Sequence, residues 1–204
     1  MRAKKFDIFM VNILNIYNHL EDLRQDMWAN QSDFVLLTET WINPTYVPTT
    51  IHWPERYLTH ASIGNGRGVC CYGPKNSADS FISDKIAPNF QILSMLVRNE
   101  FQIILIYISQ RCNLEEVILA LKDIIIPTLK VVIMGDFNYS VKNTNVVSKF
   151  LKEMFFKQHV NHPTHIKAGI IDHIYTSHNI DMIDISYRFN YYSDHCGFNI
   201  NLTN

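Results

Sequence analysis

The chain has 204 residues, 47% of them hydrophobic and 18% charged, with a formal net charge of -1 when His is neutral. The length suits one domain, residues 1–204, with a sizeable core, and the composition excludes intrinsic disorder. The charge balance excludes a protein that holds nucleic acid by bulk positive charge, so a nucleic-acid substrate requires a local patch or a metal.

In chain order, 6–13 reads as a strand and 16–30 as an amphipathic helix with Leu20, Leu23 and Met27 at helical spacing. A second apolar strand, 33–37, ends in Thr38-Glu39-Thr40-Trp41. Three prolines mark 43–54 as a loop; 57–62 reads as a short strand, 64–68 as a turn and 69–72 as a strand. Segments 90–98 and 101–109 read as a hairpin joined by Asn99-Glu100. A helix over 114–126 is closed by Pro127, a strand follows over 130–134, and 146–156 is a helix. The remaining strands are 169–175, 187–189 and 196–202. Strands outnumber helices and alternate with them irregularly, which makes the chain α+β.

Four cysteines, Cys70, Cys71, Cys112 and Cys196, show neither a CxxC pair nor zinc spacing, and read as reduced, mostly buried small hydrophobes. The basic N-terminus meets Asp7 before any long apolar run, so it does not read as a signal peptide. No apolar segment approaches the roughly 20 residues of a membrane span.

Val131-Val132-Ile133-Met134 ends abruptly in Gly135-Asp136-Phe137-Asn138. Side chains alternate along an extended chain, so Asp136 and Asn138 can point to one side where the strand meets water. A carboxylate and an amide there suit a hard cation and a phosphate oxygen; alone, the motif is equally an Asx-rich turn. Polar groups recur at other apolar strand ends: Asn12, Glu39, Tyr107, Asp172 and Asp194-His195. Charge beside a core is costly unless paired or metal-bound, so convergence of these groups is the economical explanation.

The series Asn12, Glu39, Tyr107, Gly135-Asp136-Phe137-Asn138, Asp172 and Ser193-Asp194-His195 resembles the endonuclease/exonuclease/phosphatase superfamily over nearly the whole chain. The phrases Leu36-Leu37-Thr38-Glu39-Thr40-Trp41, Gly66-Arg67-Gly68-Val69, His162-Pro163-Thr164-His165 and Ile171-Asp172-His173-Ile174 look most like the endonuclease domain of non-LTR retrotransposons, which accompanies a reverse transcriptase. The pattern departs at Leu14, where some relatives carry a metal-binding carboxylate, at Ile108-Ser109-Gln110, and at His165, where those relatives usually carry arginine.

The resemblance implies a DNase-like, four-layer α/β sandwich of two packed mixed sheets flanked by helices. It implies a Mg²⁺-dependent hydrolase, with Mn²⁺ possible, that nicks DNA and leaves a 3′-hydroxyl. Glu39 is the first metal ligand; Asp194 could ligate metal, or hold Asn12 or a water. Asp136 orients or deprotonates the attacking water, and Asn138 holds a phosphate oxygen. His195 supports the pentavalent phosphorus, oriented by Asp172. Tyr107 donates its hydroxyl to the phosphate, and Asn12 bonds phosphate or helps to position Asp136. His173 reads as packing, Trp41 as core in preference to a base-stacking platform, and Arg67 as a solvated charge or a phosphate contact. The expected partner is DNA, with no membrane or inferable protein partner; the chain is expected to be monomeric and intracellular, nuclear if its DNA is chromosomal. The runner-up readings are a phosphatase or lipid phosphodiesterase of the same superfamily, and a catalytically decayed domain that only binds nucleic acid.

Overall fold

The computed structural model describes residues 5–42, 51–61, 67–74, 80–167, 169–180 and 182–203. Most of the expected proline-rich loop and the Gly64-Asn65-Gly66 turn lie outside them. The chain divides into two compact units, 1–77 with 181–204 and 78–180.

The first unit holds a mixed six-stranded sheet in the order β11-β12-β1-β2-β4-β3. Its strands are β1 (Lys5–Asn12), β2 (Phe34–Thr38), β3 (Tyr57–Ala61), β4 (Val69–Gly73), β11 (Met182–Phe189) and β12 (Cys196–Thr203). Only β1 and β2 run parallel, with Asn12 opposite Thr38; α1 (Ile16–Gln25) and α2 (Met27–Gln31) make the crossover between them. One continuous helix was expected here. Asp26 interrupts it: its backbone is extended, and its carboxylate accepts from Trp28 N at 2.8 Å and Ala29 N at 3.3 Å, starting a new helix. Ile16, Leu20 and Leu23 of α1 pack on Phe9, Val11, Val35 and Leu37, with Trp53 and Tyr72 completing this core.

The second unit holds another mixed six-stranded sheet, in the order β5-β6-β7-β8-β10-β9. Its strands are β5 (Ser80–Ala87), β6 (Phe90–Val97), β7 (Phe101–Ile108), β8 (Lys130–Asp136), β9 (Lys157–Gln158) and β10 (Asp172–Thr176). The β6–β7 hairpin forms as expected, Phe90 opposite Ile108. β5 was not anticipated: its polar Ser80, Ser83, Asp84 and Lys85 mask the strand pattern, and pairing with β6 supplies what propensity does not. Again a single parallel pair, β7 and β8, is bridged by a helix, α3 (Leu114–Ile124). Val117, Leu121 and Ile124 of α3, with Val147, Phe150 and Leu151 of α4 (Val146–Glu153), bury against Ile104, Ile106, Val131 and Ile133. Gln102, fully buried, donates to Ile124 O at 2.8 Å and accepts from Ile126 N at 2.8 Å, fixing the end of α3.

The α+β class with two mixed sheets and helices is therefore the one observed. All four cysteines are free, and three are buried. Among the described residues, no helix is long and apolar enough to cross a membrane. Each unit thus places one parallel strand pair at its centre, and the C-terminal ends of those pairs carry Asn12 and Glu39 in the first unit and Tyr107 and Asp136 in the second.

Candidate active site

In the second unit, three adjacent strands bring three candidates into one cross-strand row. Tyr107 on β7 is register partner of Asp136 on β8, and Asp136 is partner of Asp172 on β10. Partners in register project to the same face of a sheet. All three are buried: Tyr107 at 3%, Asp136 at 1% and Asp172 at 0% exposure. Two buried carboxylates side by side are destabilising unless cations or donors answer them.

Asp136 and Asn138 do meet, though not by strand alternation. β8 ends at Asp136, and Asn138 takes a left-handed φ of 53°. The chain closes an Asx turn: Asn138 N–H donates to Asp136 Oδ1 at 2.9 Å, and Asn138 Nδ2 donates to Oδ2 at 3.1 Å. The same Nδ2 donates to Ile108 O at 3.0 Å. Both amide protons of Asn138 are therefore engaged in holding Asp136 and the end of β7, and it reaches a phosphate only by surrendering one of these bonds. Gly135 makes the turn possible. Its φ is 142°, and a Cβ there would lie 1.9 Å from Ile106 O. Phe137 stacks on His173 with centroids 4.5 Å apart and planes 16° apart, so His173 packs under the turn, as expected from its alternation with Asp172.

Asp172 has a support the sequence reading did not assign. Thr164, fully buried, accepts through Oγ1 from Ile171 N and Asp172 N, both at 3.0 Å. The signal was the Pro-Thr preceding Asp172, but nothing local marks which hydroxyl caps which strand. His165 beside it accepts Lys167 N at 3.1 Å through Nδ1, an ordinary turn contact. Burial holds the His173 imidazole below its usual pKa, against the raising effects of its Ile170 carbonyl contact and of Asp172.

In the first unit, Asn12 ends β1 with no solvent exposure. Its Oδ1 accepts from Leu14 N at 3.0 Å, which folds Leu14 into a left-handed φ of 59°. Its Nδ2 lies 3.4 Å from His195 Nε2. Ser193, given no role from sequence, makes this neighbourhood rigid: Oγ donates to Asn12 O at 2.6 Å and accepts from His195 N at 3.0 Å. Ser193 thus ties this loop to the Asn12 backbone. His195 is 5% exposed, and its Nε2 stands 3.9 Å from Asp194 Oδ1, within ion-pair range and beyond a hydrogen bond.

Glu39 stands one residue past Thr38, the partner of Asn12, with φ 52° and 7% exposure. Its Oε1 receives Arg67 Nη1 at 2.6 Å. Arg67, an ambiguous charge in the sequence, is therefore the counter-ion of the first candidate metal ligand. Trp41, expected in the core, is 45% exposed; φ 53° turns it outward.

Four left-handed non-glycine residues, Leu14, Glu39, Trp41 and Asn138, sit at these strand ends. Such backbone costs of order 1–3 kcal/mol each and persists where surrounding contacts impose it, commonly at sites of function.

No protein-family model matches the sequence, and no curated relative matches it. Solved structures do. The chain is similar to the endonuclease domain of TRAS1, a telomere-specific non-LTR retrotransposon: 15% identity, 98% of each chain covered, TM-score 0.69. It is similar to an AP endonuclease from Archaeoglobus fulgidus, at 16% identity over 96% of this chain and 98% of that one, TM-score 0.74. It is similar also to the 3′-5′ exonuclease NExo from Neisseria meningitidis, at 15% identity over 96% and 99%, TM-score 0.73. At these identities the likeness shows the fold, and it is the fold expected from the sequence.

Proposed function

We propose that this chain, which has the endonuclease/exonuclease/phosphatase fold, is a metal-dependent phosphodiesterase that nicks DNA to leave a 3′-hydroxyl, as a retrotransposon-type endonuclease does. The observation that carries the reading is the row Tyr107, Asp136 and Asp172, with Asn138 closed onto Asp136. A structural sheet has no use for two buried carboxylates in register; hydrolysis of a phosphodiester has. The structural neighbours add support, being described as nucleases and, for a Neisseria NExo and a zebrafish TDP2, as bound to product DNA.

Asp136 orients the attacking water and takes its proton, retaining lone pairs beyond those given to Asn138. The water oxygen bonds to phosphorus, the bond to the 3′ oxygen breaks, that oxygen takes a proton from solvent, and the products are a 5′-phosphate and a 3′-hydroxyl. His195 stabilises the charge that grows on the phosphate. Tyr107 and Asn12 donate to phosphate oxygens. Asn138 positions Asp136.

Glu39 and Asp194 are the residues proposed to hold a Mg²⁺ or Mn²⁺ ion. Both offer hard oxygens, Glu39 keeps one carboxylate oxygen outside its Arg67 pair, and Mg²⁺ commonly uses one or two protein carboxylates. When bound, the ion supplies charge stabilisation at the phosphate and the leaving oxygen. The chain acts on DNA as a monomer, in the nucleus where that DNA is chromosomal.

Purified protein is expected to relax supercoiled plasmid in Mg²⁺ and to lose this in EDTA. Plasmid left supercoiled in both Mg²⁺ and Mn²⁺ contradicts the reading. A 3′-phosphorylated oligonucleotide in the same assay distinguishes nicking from removal of a terminal phosphate, the activity named for one NExo structure.

A further inference from the structure

Trp41 occupies a position that the roles above leave unused. Thr40 N–H reaches Gly68 O at 3.3 Å and Trp41 N–H donates to Arg67 O at 2.7 Å, so the chain beyond β2 stays tied to the lead-in of β4. Thr40 and Ile42 are buried, at 0% and 3% exposure, while Trp41 between them is 45% exposed. Left-handed backbone at both Glu39 and Trp41 produces this outward turn. A large aromatic ring is thus held out of the core by backbone that non-glycine residues rarely adopt.

The Arg67 guanidinium lies beside it. Its Nη1 meets Glu39 at 2.6 Å and its central carbon stands 5.8 Å from the Trp41 ring centroid. Carboxylate, guanidinium and indole therefore adjoin in space, and the last two are open to solvent, with the Arg67 side chain 46% exposed. A half-exposed indole with a guanidinium over its ring suits a ligand that is planar, aromatic and attached to an anion. A nucleotide unit is all three, and base–aromatic stacking tolerates any base because each has a π face.

We propose that Trp41 is a base-stacking platform that receives an unstacked nucleobase of the substrate strand, with Arg67 meeting the adjoining phosphate. The nucleic-acid substrate in this inference rests on the phosphodiesterase reading. Of the chain's three tryptophans, Trp53 is 1% exposed and Trp28 is half-buried under Arg188, so Trp41 is the one placed to report a stacked base by fluorescence.

The test uses the full chain carrying Asp136→Asn, which keeps the strand intact. Tryptophan emission is titrated with a single-stranded deoxyoligonucleotide and with a fully abasic oligomer of equal length and charge. The expected result is quenching by the first and little change with the second. Adding Trp41→Leu should abolish the quenching and weaken binding about tenfold, while Trp41→Phe keeps most of the affinity. Equal binding of the two oligomers, or unchanged binding and quenching in Trp41→Leu with a native circular dichroism spectrum, overturns the proposal. Plasmid relaxation by the wild-type chain is scored separately. Relaxation with no Trp41-dependent quenching removes this proposal alone; Trp41-dependent quenching with no relaxation leaves the platform standing and removes the phosphodiesterase reading.

Discussion

Asn138 holds Asp136 at both carboxylate oxygens, through its backbone N–H at 2.9 Å and its side-chain amide at 3.1 Å. A carboxylate gripped this way has a fixed orientation, which is what a group that must aim a water needs. Asn138→Ala is expected to lower kcat about a hundredfold, within the range of a general base's contribution, with little change in KM. Steady-state cleavage of a labelled duplex separates the two constants. A rise in KM alone would assign Asn138 to holding phosphate instead.

Thr164 caps Ile171 and Asp172 with one hydroxyl. Thr164→Val keeps the shape and strands buried N–H groups, at a cost of about 1–3 kcal/mol per unmet group. Urea denaturation should show the lower midpoint, and kcat should fall because Asp172 loses its support.

Gly135 faces the β7 backbone with no room for a side chain, a Cβ being 1.9 Å from Ile106 O. Gly135→Ala is expected to cost about 3 kcal/mol or more, since overpacking and backbone strain add. A lowered melting temperature measures it.

Arg67 pairs with Glu39, so a metal ion held by Glu39 as proposed would have to compete with it. Calorimetric titration with Mn²⁺ should give weaker binding in Glu39→Gln. Binding in Arg67→Ala should tighten about two- to fivefold, the range of a solvent-reachable ion pair.

His173 is buried, and desolvation keeps its pKa below the ordinary 6.5. The unfolded chain therefore binds the proton more readily. His173 contributes stability fully above about pH 6.5 and progressively less as pH falls towards its folded value. His173→Gln should flatten the loss of stability between pH 7 and pH 5 in denaturant titrations.

The strand ends were legible in the sequence because each follows an apolar run: Asn12, Glu39, Tyr107 and Asp136 all stand where such a run stops. The residues that orient them were not. Thr164 and Ser193 act through single hydroxyls on backbone groups 8 and 181 residues away, which no spacing rule encodes. Asn138 was placed beside Asp136 correctly for the wrong reason, because an Asx turn with left-handed backbone does what alternation was expected to do. Trp41 was misplaced for a related cause: φ 53° reverses the side-chain direction, and periodicity assumes ordinary backbone. The break at Asp26 similarly hid in a continuous helical pattern, decided by one carboxylate capping Trp28 and Ala29.

Asp136 and His195 are the two residues proposed to carry the phosphodiester hydrolysis. Cleavage of a labelled DNA duplex in Mg²⁺ by the wild type, Asp136→Asn and His195→Ala tests it, with the ends of the nick identified. The expected result is a wild-type nick bearing a 3′-hydroxyl and a loss of about 10²–10⁴-fold in kcat in each variant at unchanged fold. Cleavage by either variant at the wild-type rate contradicts it.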